Sequence, residues 1–135
     1  NLADTLAILS ENIVFAGFMD SNNVYKTGLS RAIQHPEAQD IYYISQIASL
    51  FDSSDWLFDH IASLLNSSSD NNNIYIKIGD EVKVFGDTRN TIMVADYLMP
   101  NRKRGFIAII GPIRMPYQKN IAILRYIKDV VKNEL

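Results

Sequence analysis

The chain has 135 residues, 47% apolar and 21% charged, with 13 Lys and Arg against 15 Asp and Glu and no cysteine. Such a composition describes one globular domain, spanning 1–135, that can bury a core; it excludes a disulfide framework and a thiolate zinc site. The absence of thiols fits a cytoplasmic location, and the longest unbroken apolar run, 106–110, is far short of the ~20 residues that cross a bilayer.

No basic-then-apolar leader opens the chain, and its start at Asn1, on a helix already under way, is the start expected of a part of a longer protein. Residues 1–73 hold only Lys26 and Arg31 against nine carboxylates, whereas residues 74–135 hold eleven basic and six acidic groups. A compact domain folds its halves together, so this asymmetry does not dictate a basic face. The one dense cluster, Arg102, Lys103 and Arg104, lacks the neighbouring aromatic side chains of a nucleic-acid groove and reads as a basic hairpin tip.

Leu2, Leu6, Leu9 and Ile13 recur at helical spacing and predict an amphipathic opening helix. The apolar stretch Ile13–Phe18, the turn formers Asp20 to Asn23 and the extended-type Val24–Thr27 predict a β-hairpin. Pro36 suits the first position of a helix, with Glu37 and Asp40 near its positive end and Ile41, Ile44, Ile47, Ala48 and Phe51 as its inward stripe. Ser53 or Ser54 caps a following helix that turns Leu57, Phe58, Ile61, Leu64 and Leu65 inward. Residues 66–73, all Ser, Asn and Asp, form a solvated loop.

Strands are predicted over 74–78, 81–85, 90–99 and 104–110, antiparallel because their connections are short. The last is apolar on both faces and therefore central; Pro112 stops it. A closing helix follows, with Pro116 near its start and Ile121, Leu124, Ile127, Val130 and Val131 along it. The sum is an α+β domain, a mostly antiparallel sheet with helices packed on it.

Chemistry-bearing patterns are sparse. His35 and His60 have no partner at metal-ligand spacing, no serine sits in a nucleophile elbow, and the Walker and dinucleotide glycine patterns are missing. Asp80, Glu81 and Asp87 do not match a calcium loop, so no catalytic, cofactor or metal residue is assigned. The most informative corner is Gly111 to Tyr117, where Arg114 either binds an anion or ties the loop to carbonyls or an acidic partner, and Tyr117 packs under the sheet.

This chain resembles the C-terminal, GAF-like part of the HrcA family of heat-inducible transcription repressors. The run GFIAIIGPIRMPY over 105–117 looks like the family signature, through Gly105, Gly111, Pro112, Arg114, Met115 and Tyr117. IKIGDE over 76–81, GLSRAIQHPEAQD over 28–40 and LADTLAILSE over 2–11 are similar to three further family segments. The resemblance implies a non-enzymatic regulatory and dimerisation domain of a cytoplasmic stress-response repressor. Its operator DNA, an inverted repeat before chaperone genes, is bound through an N-terminal winged helix absent from this chain. Its activity depends on a GroEL-type chaperonin. Ile113 stands where the family usually has Thr, and only residues 15–23 fill the place of an inserted dimerisation segment. A GAF or PAS-like small-molecule sensor is the alternative, its ligand lying in an apolar cavity between sheet and helices.

Overall fold

The computed structural model describes residues 2–21, 23–52, 55–66, 74–82, 87–99 and 101–134. The chain runs α1 (Leu2–Ser10), β1 (Ile13–Phe18), β2 (Val24–Thr27), α2 (Leu29–Ala32), a 3₁₀ turn (Pro36–Gln39), α3 (Ile41–Asp52) and α4 (Asp55–Asn66). It continues through β3 (Ile74–Ile78), a second 3₁₀ turn (Gly79–Glu81), β4 (Asn90–Leu98), β5 (Arg104–Pro112) and α5 (Tyr117–Glu134). The strands pair antiparallel in the order β2-β1-β5-β4-β3, so the doubly apolar β5 is central, as expected.

Alternation along the strands divides the core in two. Ile13, Phe15, Ile92, Val94, Phe106, Ala108 and Ile110 face α2, α3 and α4, while Val14, Met93, Ala95, Ile107 and Ile109 face α1 and α5. The helices therefore cover both faces of the sheet in an α+β, GAF-like arrangement, which is why the middle stretches of β4 (92–95) and β5 (106–110) are apolar on both faces.

Three local expectations change. The opening helix ends at Ser10 and Ile13 begins β1; Ala3, Leu6, Ala7 and Ser10 face inward while Leu2 and Leu9 are exposed. The helix read from Pro36 is split, because Asp40 takes an extended conformation after the 3₁₀ turn and its Oδ1 accepts from the Tyr42 N–H at 2.9 Å. Restarting at Ile41 sets a new phase: Tyr43, Ile47 and Leu50 are buried, while Ile41 and Ala48 turn to solvent.

The strand expected over 81–85 does not begin at Glu81. Gly79–Glu81 coil into a 3₁₀ turn in which the Glu81 carboxylate accepts from the Ile78 N–H at 3.0 Å, and residues 83–86 lie outside the described set. Ser53, Ser54 and residues 67–73 also lie outside it. The short α2 has no counterpart in the sequence reading.

The β4–β5 connection is the basic hairpin tip, closed by Met99 N–H to Lys103 O at 2.8 Å with Arg102 at φ 67°. Its three cations separate. Lys103 lies 5.5 Å from the Phe18 ring centroid, while Arg104 turns inward to Asp96, which is 1% exposed. Arg104 Nε and Nη2 donate to one Asp96 oxygen at 2.9 and 2.6 Å, and Nη2 also donates to Leu65 O at the end of α4. Lys128 of α5 stands 3.8 Å from the other oxygen.

Candidate functional site

The register places five chain ends together. Ile13 pairs with Ile110, Asn90 with Pro112, Ile78 with Thr91 and Val14 with Thr27, so the starts of β1 and β4 and the ends of β2, β3 and β5 share one end of the sheet. All four family-like segments arrive there, although they are scattered over the sequence.

Gly111 and Gly28 each admit part of Asn12. A Cβ at Gly111 would lie 2.3 Å from the Asn12 side-chain oxygen, and one at Gly28 equally close to the Asn12 carbonyl. Asn12 is 1% exposed and its side-chain N–H donates to Ser10 O at 3.0 Å, fixing the exit from α1. At the far end of β5 the Tyr97 ring lies across Gly105, its register partner.

After Pro112 the chain turns by a Met115 N–H bond to Pro112 O at 3.0 Å. Met115 is buried, and its sulfur accepts from the Asn120 side chain in the first turns of α5 at 3.3 Å. The Tyr117 hydroxyl donates to Ile113 O; its one proton is thereby used, so Thr91 Oγ1, 2.9 Å away, is the donor to Tyr117. Tyr117 thus bolts the loop to β4, a more specific role than packing under the sheet.

Arg114 takes the acidic-partner role. Its Nε and Nη2 donate to the two oxygens of Glu37 at 2.9 Å each, a bidentate pair that joins the signature loop to the 3₁₀ turn of the second family-like segment. Nη2 also meets His35 Nδ1 at 3.1 Å, while His35 Nε2 lies 2.6 Å from Glu11 O. A carbonyl only accepts, so Nε2 carries the proton and Nδ1 accepts from Arg114.

A second clamp sits beside the first. Arg89 donates to Asp87 through Nε and Nη2 and to Asp40 through Nη1, the latter two at 2.6 Å, and its guanidinium lies 5.0 Å from the Tyr43 ring centroid. The Arg89 carbonyl accepts from the Ile113 N–H at 3.0 Å, coupling the two clamps. The hydrogen bond from Arg114 holds the Glu37 carboxyl below its usual range, and those from Arg89 do the same for Asp40 and Asp87. Burial pushes the Tyr43 hydroxyl up to about 12; that hydroxyl donates to the buried Asn90 at 2.7 Å.

The constellation links segments, and its charged groups are paired with one another. Asp87 and Asp40 are consumed by Arg89, Glu81 by the Ile78 N–H, and among the described residues no three His, Cys, Asp or Glu are grouped to hold a metal ion. His60 is elsewhere, stacked on Trp56 at 5.3 Å in α4, its pKa lowered by burial and then by Lys77. Sequence reasoning missed Arg89 and Asn12. Asp40 lay in a quoted segment, but nothing local signals a partner 49 positions away.

Replacing Arg114 with alanine is expected to lower unfolding free energy at neutral pH by about 1 kcal/mol, the upper range for a partly exposed pair. Glu37 has a depressed folded pKa, so its contribution is present above the ordinary value of 4.5 and lost as pH falls through the folded value. The difference between wild type and Arg114→Ala in urea unfolding should accordingly shrink on acidification. A gap that is pH-independent, or an unchanged melting temperature, contradicts the structural role of this pair.

Residues 2–121 match the family model described as HrcA protein C terminal domain. The heat-inducible transcription repressor HrcA of Clostridium tetani is 34% identical over 128 residues, which cover 95% of this chain and 34% of that protein. The same-named repressor of Ruminiclostridium cellulolyticum is 30% identical over 117 residues, 87% of this chain and 33% of its own. That of Oceanobacillus iheyensis is 31% identical over 128 residues, 93% and 36%. The chain therefore spans about a third of the length of the curated relatives it matches. Among solved structures, a crystal structure of a hypothetical protein superposes with a TM-score of 0.61 at 13% identity, over 84% of this chain and 33% of that one, a likeness of fold.

Proposed function

Because the chain belongs to the family of HrcA C-terminal domains, we propose that it is the regulatory and dimerisation domain of a heat-inducible transcription repressor. In this reading it forms a single non-enzymatic domain over 1–135, works in the cytoplasm, and holds two winged-helix domains in register on an inverted-repeat operator of chaperone genes. Two-fold operators are matched by two-fold proteins, hence the dimer. A GroEL-type chaperonin is the partner that keeps the repressor active.

The observation that carries the reading is the interlocked sheet end. Gly111, Pro112, Arg114, Met115 and Tyr117 are engaged in turns, hydrogen bonds and an ion pair between segments, and Gly105 lies under Tyr97 at the other end of β5. These are the duties of residues that hold a scaffold rigid, and they support a structural role for the signature. One feature favours a small-molecule sensor, a pocket of 210 Å³ between α1, α5 and β1 lined by Tyr25, Tyr97 and apolar side chains. It is smaller than the roughly 300–1,000 Å³ usual for ligand sites.

The test is fluorescence anisotropy with the protein expressed from its complete reading frame, on an inverted-repeat duplex and a scrambled control, over a salt series. Preference for the inverted repeat retained at physiological salt, and strengthened by the chaperonin, is the expected result. Weak binding that ignores sequence and vanishes with salt, together with a small molecule retained in native mass spectrometry, would replace this reading by the sensor.

A further inference from the structure

On the side of the sheet that faces α1 and α5, small residues thin the packing toward the β4–β5 hairpin. One cross-strand row runs Tyr25, Ala16, Ile107 and the next runs Phe18, Gly105, Tyr97, so Ala16 and Gly105 sit low between larger neighbours. Tyr97 lies across Gly105, where a Cβ would stand 2.3 Å from its ring, but nothing covers Ala16 in the same way. What is left there is the 210 Å³ pocket, walled by Leu2 and Ala3 of α1 and by Ile127 and Val131 of α5.

The lining selects an occupant. No charged side chain is part of it, and the carboxylate closest behind it, Asp4, accepts from the Tyr25 hydroxyl at 2.7 Å. An anion would enter with no cation to meet it, so a neutral molecule is favoured. Tyr25 spends its proton on Asp4, whereas burial alone raises the Tyr97 pKa, with no hydrogen bond contributing. Tyr97 therefore keeps a proton to donate. The rings of Phe18, Tyr25 and Tyr97 all line the pocket and suit an aromatic guest, which they meet in edge or offset contacts. An apolar cavity of about 150 Å³ holds benzene, so this space, too small for a larger ligand, takes one ring with a small polar substituent.

We propose that this pocket is a binding site for a neutral, single-ring aromatic molecule carrying one hydroxyl or carbonyl, its ring lodged over Ala16 between α1 and α5 and its oxygen accepting from the Tyr97 hydroxyl. Occupancy ties α1 to α5 across β1 and β5 and stabilises the folded chain by mass action. The site is read on this chain without DNA or chaperonin, so it goes beyond the repressor reading and either can fail without the other.

The test is titration of phenol, toluene and benzoate into the isotope-labelled 135-residue chain, followed by heteronuclear NMR and by melting temperature. Phenol is expected to saturate with a Kd below about 1 mM, a strength open to so small a ligand. It should shift the signals of Ala3, Ala16, Ile107 and Val131 and raise the melting temperature, while benzoate does neither. Tyr97→Phe should weaken phenol about fivefold to tenfold, the loss of one hydrogen bond, and leave toluene unchanged. Ala16→Leu, whose longer side chain fills the floor, should abolish the binding of both with its melting transition retained. If that variant does not fold, the comparison of phenol with toluene in Tyr97→Phe still decides. No saturation by about 10 mM phenol, or binding that survives Ala16→Leu, would overturn the site. Benzoate binding as tightly as phenol, or equal weakening of phenol and toluene by Tyr97→Phe, would overturn the ligand class.

Discussion

Gly28→Ala should destabilise the protein by about 3 kcal/mol or more, seen as a fall in the urea midpoint and about 10 °C in melting temperature. Gly28 has φ 95°, where an L side chain is strained, and the added Cβ would stand 2.3 Å from the Asn12 carbonyl oxygen and 3.0 Å from Ile13 Cα. Both obstacles are backbone, so no rotamer change relieves them. Movement of Asn12 and Ile13 displaces the start of β1, which is held by the pairing of Ile13 with Ile110 in the central strand. A loss below about 1 kcal/mol would mean that the β2–α2 corner relaxes independently of the sheet.

Asp96→Ala is the second large effect, with an expected loss of about 3–5 kcal/mol, because removing one member of a buried ion pair strands its partner. Arg104 would keep only Leu65 O among its present acceptors, and Lys128, 15% exposed, would face it without the shared carboxylate. The end of α4 and the β4–β5 hairpin should loosen together, which hydrogen exchange can resolve from general destabilisation. Adding Arg104→Met to Asp96→Ala should recover part of the loss. If the double variant is as unstable as the single one, stranded charge is not the cause.

Much of the fold was legible because its signals are local. The apolar run 106–110 marked the central strand, and turn formers between Ile13–Phe18 and Val24–Thr27 marked a hairpin, which forms with Val14 opposite Thr27. Helix orientation was harder. In α3, with the sequence IYYISQIASLFD, apolar residues occur nearly all round, so spacing alone could not choose between Ile41 and Tyr43. The phase follows from the restart after the extended Asp40, and in it Tyr43 is buried with its hydroxyl on Asn90. The same limit applies to the clamps. Arg114 was visible as a donor at a corner, but its acceptor Glu37 lies 77 positions away, and Arg89 meets Asp40 across the same fold, where only assembled backbone supplies the partner.

The placement of β5 between β1 and β4 has a kinetic meaning. On a ribosome the first hairpin emerges early, yet the inner edge of β1 finds its partner only when residues 105–110 follow. Until then Val14 and Phe15 lack the strand that buries them, and the loop to be closed is most of the chain, at an entropic cost that local contacts cannot offset in advance. Assembly therefore favours β3, β4 and β5 as the early unit, onto which the N-terminal hairpin and α1 dock last. A nascent chain halted before Arg104 would leave the inner edge of β1 unpaired, a template for pairing with another chain.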